Sequence, residues 1–313
     1  MDSTTRAFGS NALYDYCTFG AGLEMKETGQ AVAYGAVSIL NALSTGKGGA
    51  LSIDLSTRAK VVLLDGQGPI LSDNGHPEAP TSLAPLVVSK ILEYYGYAGK
   101  VHGKVQTSSN IPEAVGLKSS SAAANAVALA TASALDEQVQ DANLVRIGME
   151  ASIESGVSLT GAFDDAIASF HGGANITDNN NRVIEKTLEI PADVQIYVLV
   201  SSPRESRIGL EPSKYSSIKR IMELAYSEAL NGQIWDALTL NGIAYSSILG
   251  RDSRPALSAI EAGALGAGLS GKGPAITAVA NPEASEKVRK ALKIFNGQLI
   301  ETRPNFNKAS IEL

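Results

Sequence analysis

The sequence predicts an α+β fold with α/β character, arranged as two domains. Its 313 residues, 44% of them hydrophobic, exceed what one small core needs. Apolar runs of strand length alternate with longer helical segments. A polar cluster, Thr177 to Arg182, separates a glycine- and alanine-rich first part from a helix-rich second part. The predicted domains are 25–178 and 183–313.

Residues 1–24 show no sustained period and are read as an extension, a tag or a poorly ordered segment; Met25 then opens a patterned sequence. In the first part, Lys60–Asp65 reads as a strand, and Ser119–Leu135 and Asn143–Ser155 as helices. In the second part, Ser213–Leu230 stops at Asn231-Gly232, Ser253–Leu265 runs into a glycine cluster, and Glu283–Phe295 stops at Asn296-Gly297. Strands at Gln195–Val200, Ala275–Ala280 and Gln298–Thr302 complete the alternation.

The net charge of −6, with no basic run, argues against a nucleic-acid partner. The longest uncharged stretch near the start, Thr28 to Gly46, holds Gln30, Asn41 and several glycines, a poor membrane span. The first twenty residues lack the apolar core of a signal peptide, so a cytoplasmic protein is expected. With a single cysteine, Cys17, and three histidines, a metal is expected to be held by oxygen ligands. Oligomeric state leaves no mark on the sequence.

Chemistry concentrates in three segments. In Gly116-Leu117-Lys118-Ser119-Ser120-Ser121-Ala122, a glycine turn opens an alanine-rich helix. Serines alone would serve as helix caps. Here the unpaired N–H groups, the helix dipole and the lysine charge together favour a polyphosphate.

The second segment, Gly266 to Gly273, fits the spacing of a dinucleotide fingerprint and most of a Walker A loop, but both fail on context. Such loops follow a strand and open a helix, whereas this one follows helix-like residues and leads through Gly273-Pro274 into a strand. Position 273 also lacks the required Ser or Thr.

The third segment carries Asp164 and Asp165 among small and apolar residues. Burying either carboxylate calls for a cation, a metal or hydrogen-bond donors. Helix capping by Asp164, with Asp165 in the first turn, is the plainer alternative.

Together these segments resemble the GHMP kinases. Pro112 to Ala122 is similar to that family's phosphate motif, Pro-x-x-x-Gly-Leu-Gly-Ser-Ser-Ala-Ala, with Lys118 where most members have glycine. The Gly-Leu-Lys-Ser form, and Ala42 to Leu55 with it, look like archaeal shikimate kinases. Gly266, Gly268, Ser270, Gly271 and Gly273 look like the third family motif, a loop that closes over the nucleotide phosphates. Thr160-Gly161 and Gly172-Gly173 flank the aspartates as in the mevalonate kinase branch, where an aspartate acts on the acceptor hydroxyl. One extra residue leaves both Asp164 and Asp165 eligible, with Asp165 favoured.

The resemblance further implies a Mg²⁺ ligand at Glu154, beside Ser120, with Glu150 as the fallback. The first family motif, here Tyr34 to Asn41, has alanine in place of its lysine, so Lys47 or Lys118 is expected to supply the missing charge. An N-terminal domain like ribosomal protein S5 domain 2 and a ferredoxin-like C-terminal domain follow as expectations. So does ATP- and Mg²⁺-dependent phosphorylation of a shikimate hydroxyl, with Arg58, Arg204 or Arg207 for the acceptor carboxylate. The alternatives are a GHMP kinase for homoserine or mevalonate, and a non-catalytic nucleotide-sensing module.

Overall fold

A computed structural model describes residues 6–7, 25–73, 82–138, 140–158, 160–201 and 212–312. The predicted extension, residues 1–24, thus lies almost wholly outside the described residues.

The chain begins with β1 (Arg6–Ala7), β2 (Thr28–Leu40), β3 (Lys47–Asp65) and β4 (Ile70–Ser72). Next come α1 (Leu83–Tyr94), β5 (Val101–Ser109), α2 (Ser119–Ala134), α3 (Asp141–Glu154), α4 (Phe163–His171), β6 (Ala174–Asp178) and β7 (Val183–Leu188). The second half holds β8 (Gln195–Val200), α5 (Pro212–Ser217), α6 (Lys219–Leu230), α7 (Ile234–Ile248), α8 (Arg254–Glu261) and β9 (Gly266–Leu269). It closes with β10 (Ala275–Ala280), α9 (Pro282–Lys293), β11 (Gln298–Thr302) and β12 (Ser310–Glu312).

The first sheet is built on β3, whose 19 residues pair with β2 along most of their length. Its first residues, Lys47 to Leu51, also pair with β6, and Thr57 to Asp65 pair with β5. Helices α1 to α4 pack against this sheet and one another around a core that includes Val61, Leu63, Val127, Leu144 and Ile167. The small residues of α2 let it press closely on β2: a Cβ at Gly29 would lie 2.0 Å from the carbonyl oxygen of Ala130.

The second sheet runs in the order β11-β8-β10-β9, entirely antiparallel. Numbered within this half, that is 4-1-3-2, the order of a ferredoxin-like domain. Its core is continuous with the first sheet, because Val37, Ile39, Leu51 and Ile53 share one buried cluster with Ile196, Val198, Leu238 and Ile276.

Several elements depart from the sequence reading. The stretch expected as one helix, Ser213–Leu230, is two, α5 and α6, broken at Ile218. Helix α7 was not anticipated; Asn241, Gly242 and Ser246 blur its apolar face, yet all are buried. The change of sheet falls after the predicted boundary at Thr177–Arg182: β7 beyond it pairs with β6, and β12 returns to pair with β2. Gly266–Leu269, expected as loop, is strand β9, and a Cβ at Gly268 would lie 2.6 Å from Cα of Gly242 in α7. Gly266 and Gly268 are therefore packing positions where helix and strand nearly touch, not part of a phosphate loop.

Candidate active site

A cavity of about 920 Å³ lies over the N-terminus of α2, and its lining includes Gly116, Lys118, Ser119–Ser121, Asp164, Asp165 and Lys272. The loop feeding α2 places Ala114, Gly116 and Lys118 at φ of 57°, 98° and 63°. Alternating left-handed residues gather backbone N–H groups into a concavity that suits an anion. Among the described residues no side chain caps α2, so its first N–H groups stand open to an anion. Leu117 and Ala122 point into the core and serve the loop as ballast rather than lining.

Lys118 is the N-cap of α2 and sits in the conformation that favours glycine, which gives a physical reason for the family's usual residue there. The strain, about 1 kcal/mol, brings an ammonium into the site. Its Nζ lies 2.8 Å from Asp165 Oδ1 and donates to Ser38 Oγ at 2.8 Å. Beyond that ion pair, Asp165 Oδ1 is buried without an aligned hydrogen bond among the described residues.

Ser38 ties the two loops together. Its hydroxyl also accepts from the Gly271 N–H at 3.0 Å, and its own N–H donates to Ser270 Oγ at 3.1 Å. The Ser270 hydroxyl donates in turn to the Gly116 carbonyl at 2.7 Å, across 154 residues of sequence. A Cβ at Gly116 would stand 2.1 Å from the Ser270 carbonyl oxygen. Of the second glycine cluster, Gly271 and Lys272 reach the cavity; Ser270 and Gly273 shape the turn behind them.

Asp164 is 5% exposed and accepts from Asn179 Nδ2 at 2.7 Å. Burial, and then the charge of Asp165, push its carboxyl up to about 7, while Lys118 and the Asn179 amide pull the other way. Gly48 makes room for it, since a Cβ there would lie 2.7 Å from Asp164 Cγ.

Other expected residues are engaged elsewhere. Lys47 is ion-paired with Asp178 at 2.7 Å and Glu185 at 2.8 Å, so the charge at the aspartates comes from Lys118. Glu154 pairs with Lys90 at 2.6 Å and is absent from the cavity lining, and Glu150 pairs with Arg146. Arg58 pairs with Glu312 on the far edge of the first sheet, and Arg204 and Arg207 lie outside the described residues.

Sequence reasoning missed Ser38, Asn41, Asn179 and Lys272. Ser38 and Asn41 had a signal: they are polar residues in the apolar run Val37 to Leu43, and both are buried. Asn179 sits in a polar turn that reads as solvated, and only tertiary folding brings it to Asp164.

Residues 83–173 match the family model for the GHMP kinases N terminal domain, and residues 213–297 the model for the GHMP kinases C terminal. The fold is shared with homoserine kinase from Cytophaga hutchinsonii, with a TM-score of 0.72 at 19% identity over 95% of this chain and 100% of that one. It is shared also with L. major mevalonate kinase in complex with R-mevalonate, with a TM-score of 0.67 at 15% identity over 90% and 97%. The chain belongs to the GHMP kinase family and is an ATP-dependent small-molecule kinase. Within that family its relatives include shikimate kinases. That of Methanosarcina acetivorans is 40% identical, covering 88% of this chain and 94% of its own. That of Methanothrix thermoacetophila is 40% identical over 87% and 92%.

Proposed function

We propose that this chain transfers the γ-phosphoryl group of ATP to a hydroxyl of shikimate, giving shikimate 3-phosphate and ADP. The observation that carries the reading is the Lys118–Asp165 pair at 2.8 Å at the mouth of the phosphate loop. Identity of 40% to two shikimate kinases, over 88% and 87% of this chain, supports the choice of acceptor.

In this reading the N–H groups at the start of α2, with Ser119, Ser120 and Ser121, hold the ATP phosphates. Asp165, which lines the cavity beside Lys118, orients the acceptor hydroxyl and takes its proton as the oxygen attacks the γ-phosphorus. The bond from that phosphorus to the β–γ bridging oxygen breaks, and ADP leaves. Lys118 offsets charge on the transferring group, and Lys272 adds a second ammonium from the Gly271 turn.

Among the described residues no cluster of three or more His, Cys, Asp or Glu could hold a metal. What the cavity offers beside the phosphate loop is the Ser120 hydroxyl, a single hard oxygen that fits Mg²⁺, which keeps its waters and leans on phosphate oxygens. Ser120 would supply the protein's oxygen, and the ion would neutralise phosphate charge. Glu154 would have to leave Lys90 to join it.

The test is ADP release with ATP and Mg²⁺ against shikimate, homoserine, mevalonate and pantoate. Turnover on shikimate alone is expected. Turnover confined to another acceptor would replace shikimate and keep the kinase, and saturable ATP binding without ADP formation on any of them would favour a nucleotide sensor.

A further inference from the structure

The turn after β6 lies against the aspartates although nothing in the reaction scheme above uses it. Asn179 Nδ2 donates to Asp164 Oδ1 at 2.7 Å, and the fully buried Thr177 donates its hydroxyl to Asn179 Oδ1 at 2.7 Å. An ionised carboxylate only accepts, so it takes the amide's N–H side and leaves the amide oxygen to accept from the Thr177 hydroxyl. The turn itself is held by Asp178, which accepts from the N–H groups of Asn180 at 3.0 Å and Asn181 at 3.1 Å. Asp178 also accepts from Lys47 at 2.7 Å. Asp164 is thus wedged between Gly48 and Asn179, and both Asp164 and Asn179 line the cavity.

We propose that Asn179 is a positioning residue for phosphoryl transfer, holding the Asp164 carboxylate in the place and the ionised form in which it supports Asp165 at the acceptor hydroxyl. The inference rests on the placement of Asp165 beside that hydroxyl. Among the described residues, the charged and titratable groups facing Asp164 are Asp165 on its own helix, Lys118 from the phosphate loop and Tyr245 from α7. Asn179 is the neutral donor among them. A hydrogen bond to a carboxylate favours its charged form, and here it fixes where that charge stands beside Asp165. The amide therefore acts on Asp165 through Asp164.

Two measurements on the full chain test this. The first is a carboxyl ¹³C NMR titration of Asp164 without substrates, in the wild type, Asn179→Ala and Thr177→Val. The second is kcat against pH with shikimate and ATP. Asn179→Ala is expected to raise the Asp164 midpoint by about one pH unit. The acidic limb of kcat should move by the same amount, with about a tenfold loss of kcat at pH 6.5 and KM for ATP within about twofold. Thr177→Val should move both in the same direction by less. An unmoved midpoint, or a moved midpoint with an unmoved kcat limb, overturns the proposal. Should Asn179→Ala fail to fold, Thr177→Val decides by the same criteria. Should the wild type phosphorylate another acceptor and not shikimate, only the acceptor is overturned and the kcat profile is taken on that acceptor; no ADP formation on any acceptor overturns this proposal together with the kinase reading.

Discussion

A carboxyl group held near pH 7 inside a protein works against folding at neutral pH. Asp164 has an ordinary value of 3.8 and is raised to about 7, so the folded chain binds its proton more tightly than the unfolded chain. Its favourable contribution is complete below about pH 4 and fades as pH rises toward 7. Asp164→Asn should therefore raise the melting temperature at pH 7 by about 3 °C or more while leaving it nearly unchanged at pH 4. The same variant should lose at least about tenfold in kcat. Calorimetry at the two pH values, beside a rate assay, reads both effects, and a lower melting temperature at pH 7 would contradict the burial argument. Lys118 makes a similar exchange, accepting a left-handed backbone to set its charge against Asp165. Lys118→Gly relieves that strain but should cut kcat by about a hundredfold or more.

The glycines of the second cluster divide at the level of elements. Gly268→Ala would drive a methyl group into the backbone of α7 and should destabilise the fold by about 2–3 kcal/mol, with KM for ATP unchanged in the folded fraction. Gly271→Ala puts Cβ 3.2 Å from Gly116 Cα, at φ of 59°, and should instead raise KM for ATP severalfold. Denaturant unfolding beside nucleotide kinetics separates the two; equal effects on KM would refute the division. In the sequence these glycines look alike, because a short strand of Gly-Ala-Gly-Leu has no period to announce it. The serine run of α2 and the paired aspartates were legible because their chemistry conflicts with their surroundings. Lys47 was misread for the opposite reason. A lysine in a glycine-rich turn carries no sign of the two carboxylates, 131 and 138 residues away, that claim it.

At the scale of the molecule, the shared core and the Lys47 cluster bind the two sheets into one body. Lys47 joins Asp178 of β6 to Glu185 of β7, and Tyr226 of α6 donates its hydroxyl to Glu185. Burial alone would raise Asp178, but Lys47 and Asn181 outweigh it and hold the carboxyl at about 2. Its stabilising effect is present above about pH 4 and is lost as pH falls toward 2. Lys47→Met should cost about 2–3 kcal/mol at pH 7 and much less at pH 2.5, as urea midpoints at the two pH values would record. The segment from Arg303 to Glu312 adds a constraint of another kind. It crosses from the second sheet back to the first, where Asn305 bonds Ser52 and Gly173, Ala309 bonds the end of α4, and β12 covers the edge of β2. The helix that carries both aspartates is therefore buttressed by a segment that follows it far along the chain. A nascent chain emerging from the ribosome holds Asp164 and Asp165 long before it holds the segment that braces their helix, so the pair settles only once Arg303 to Glu312 has been made.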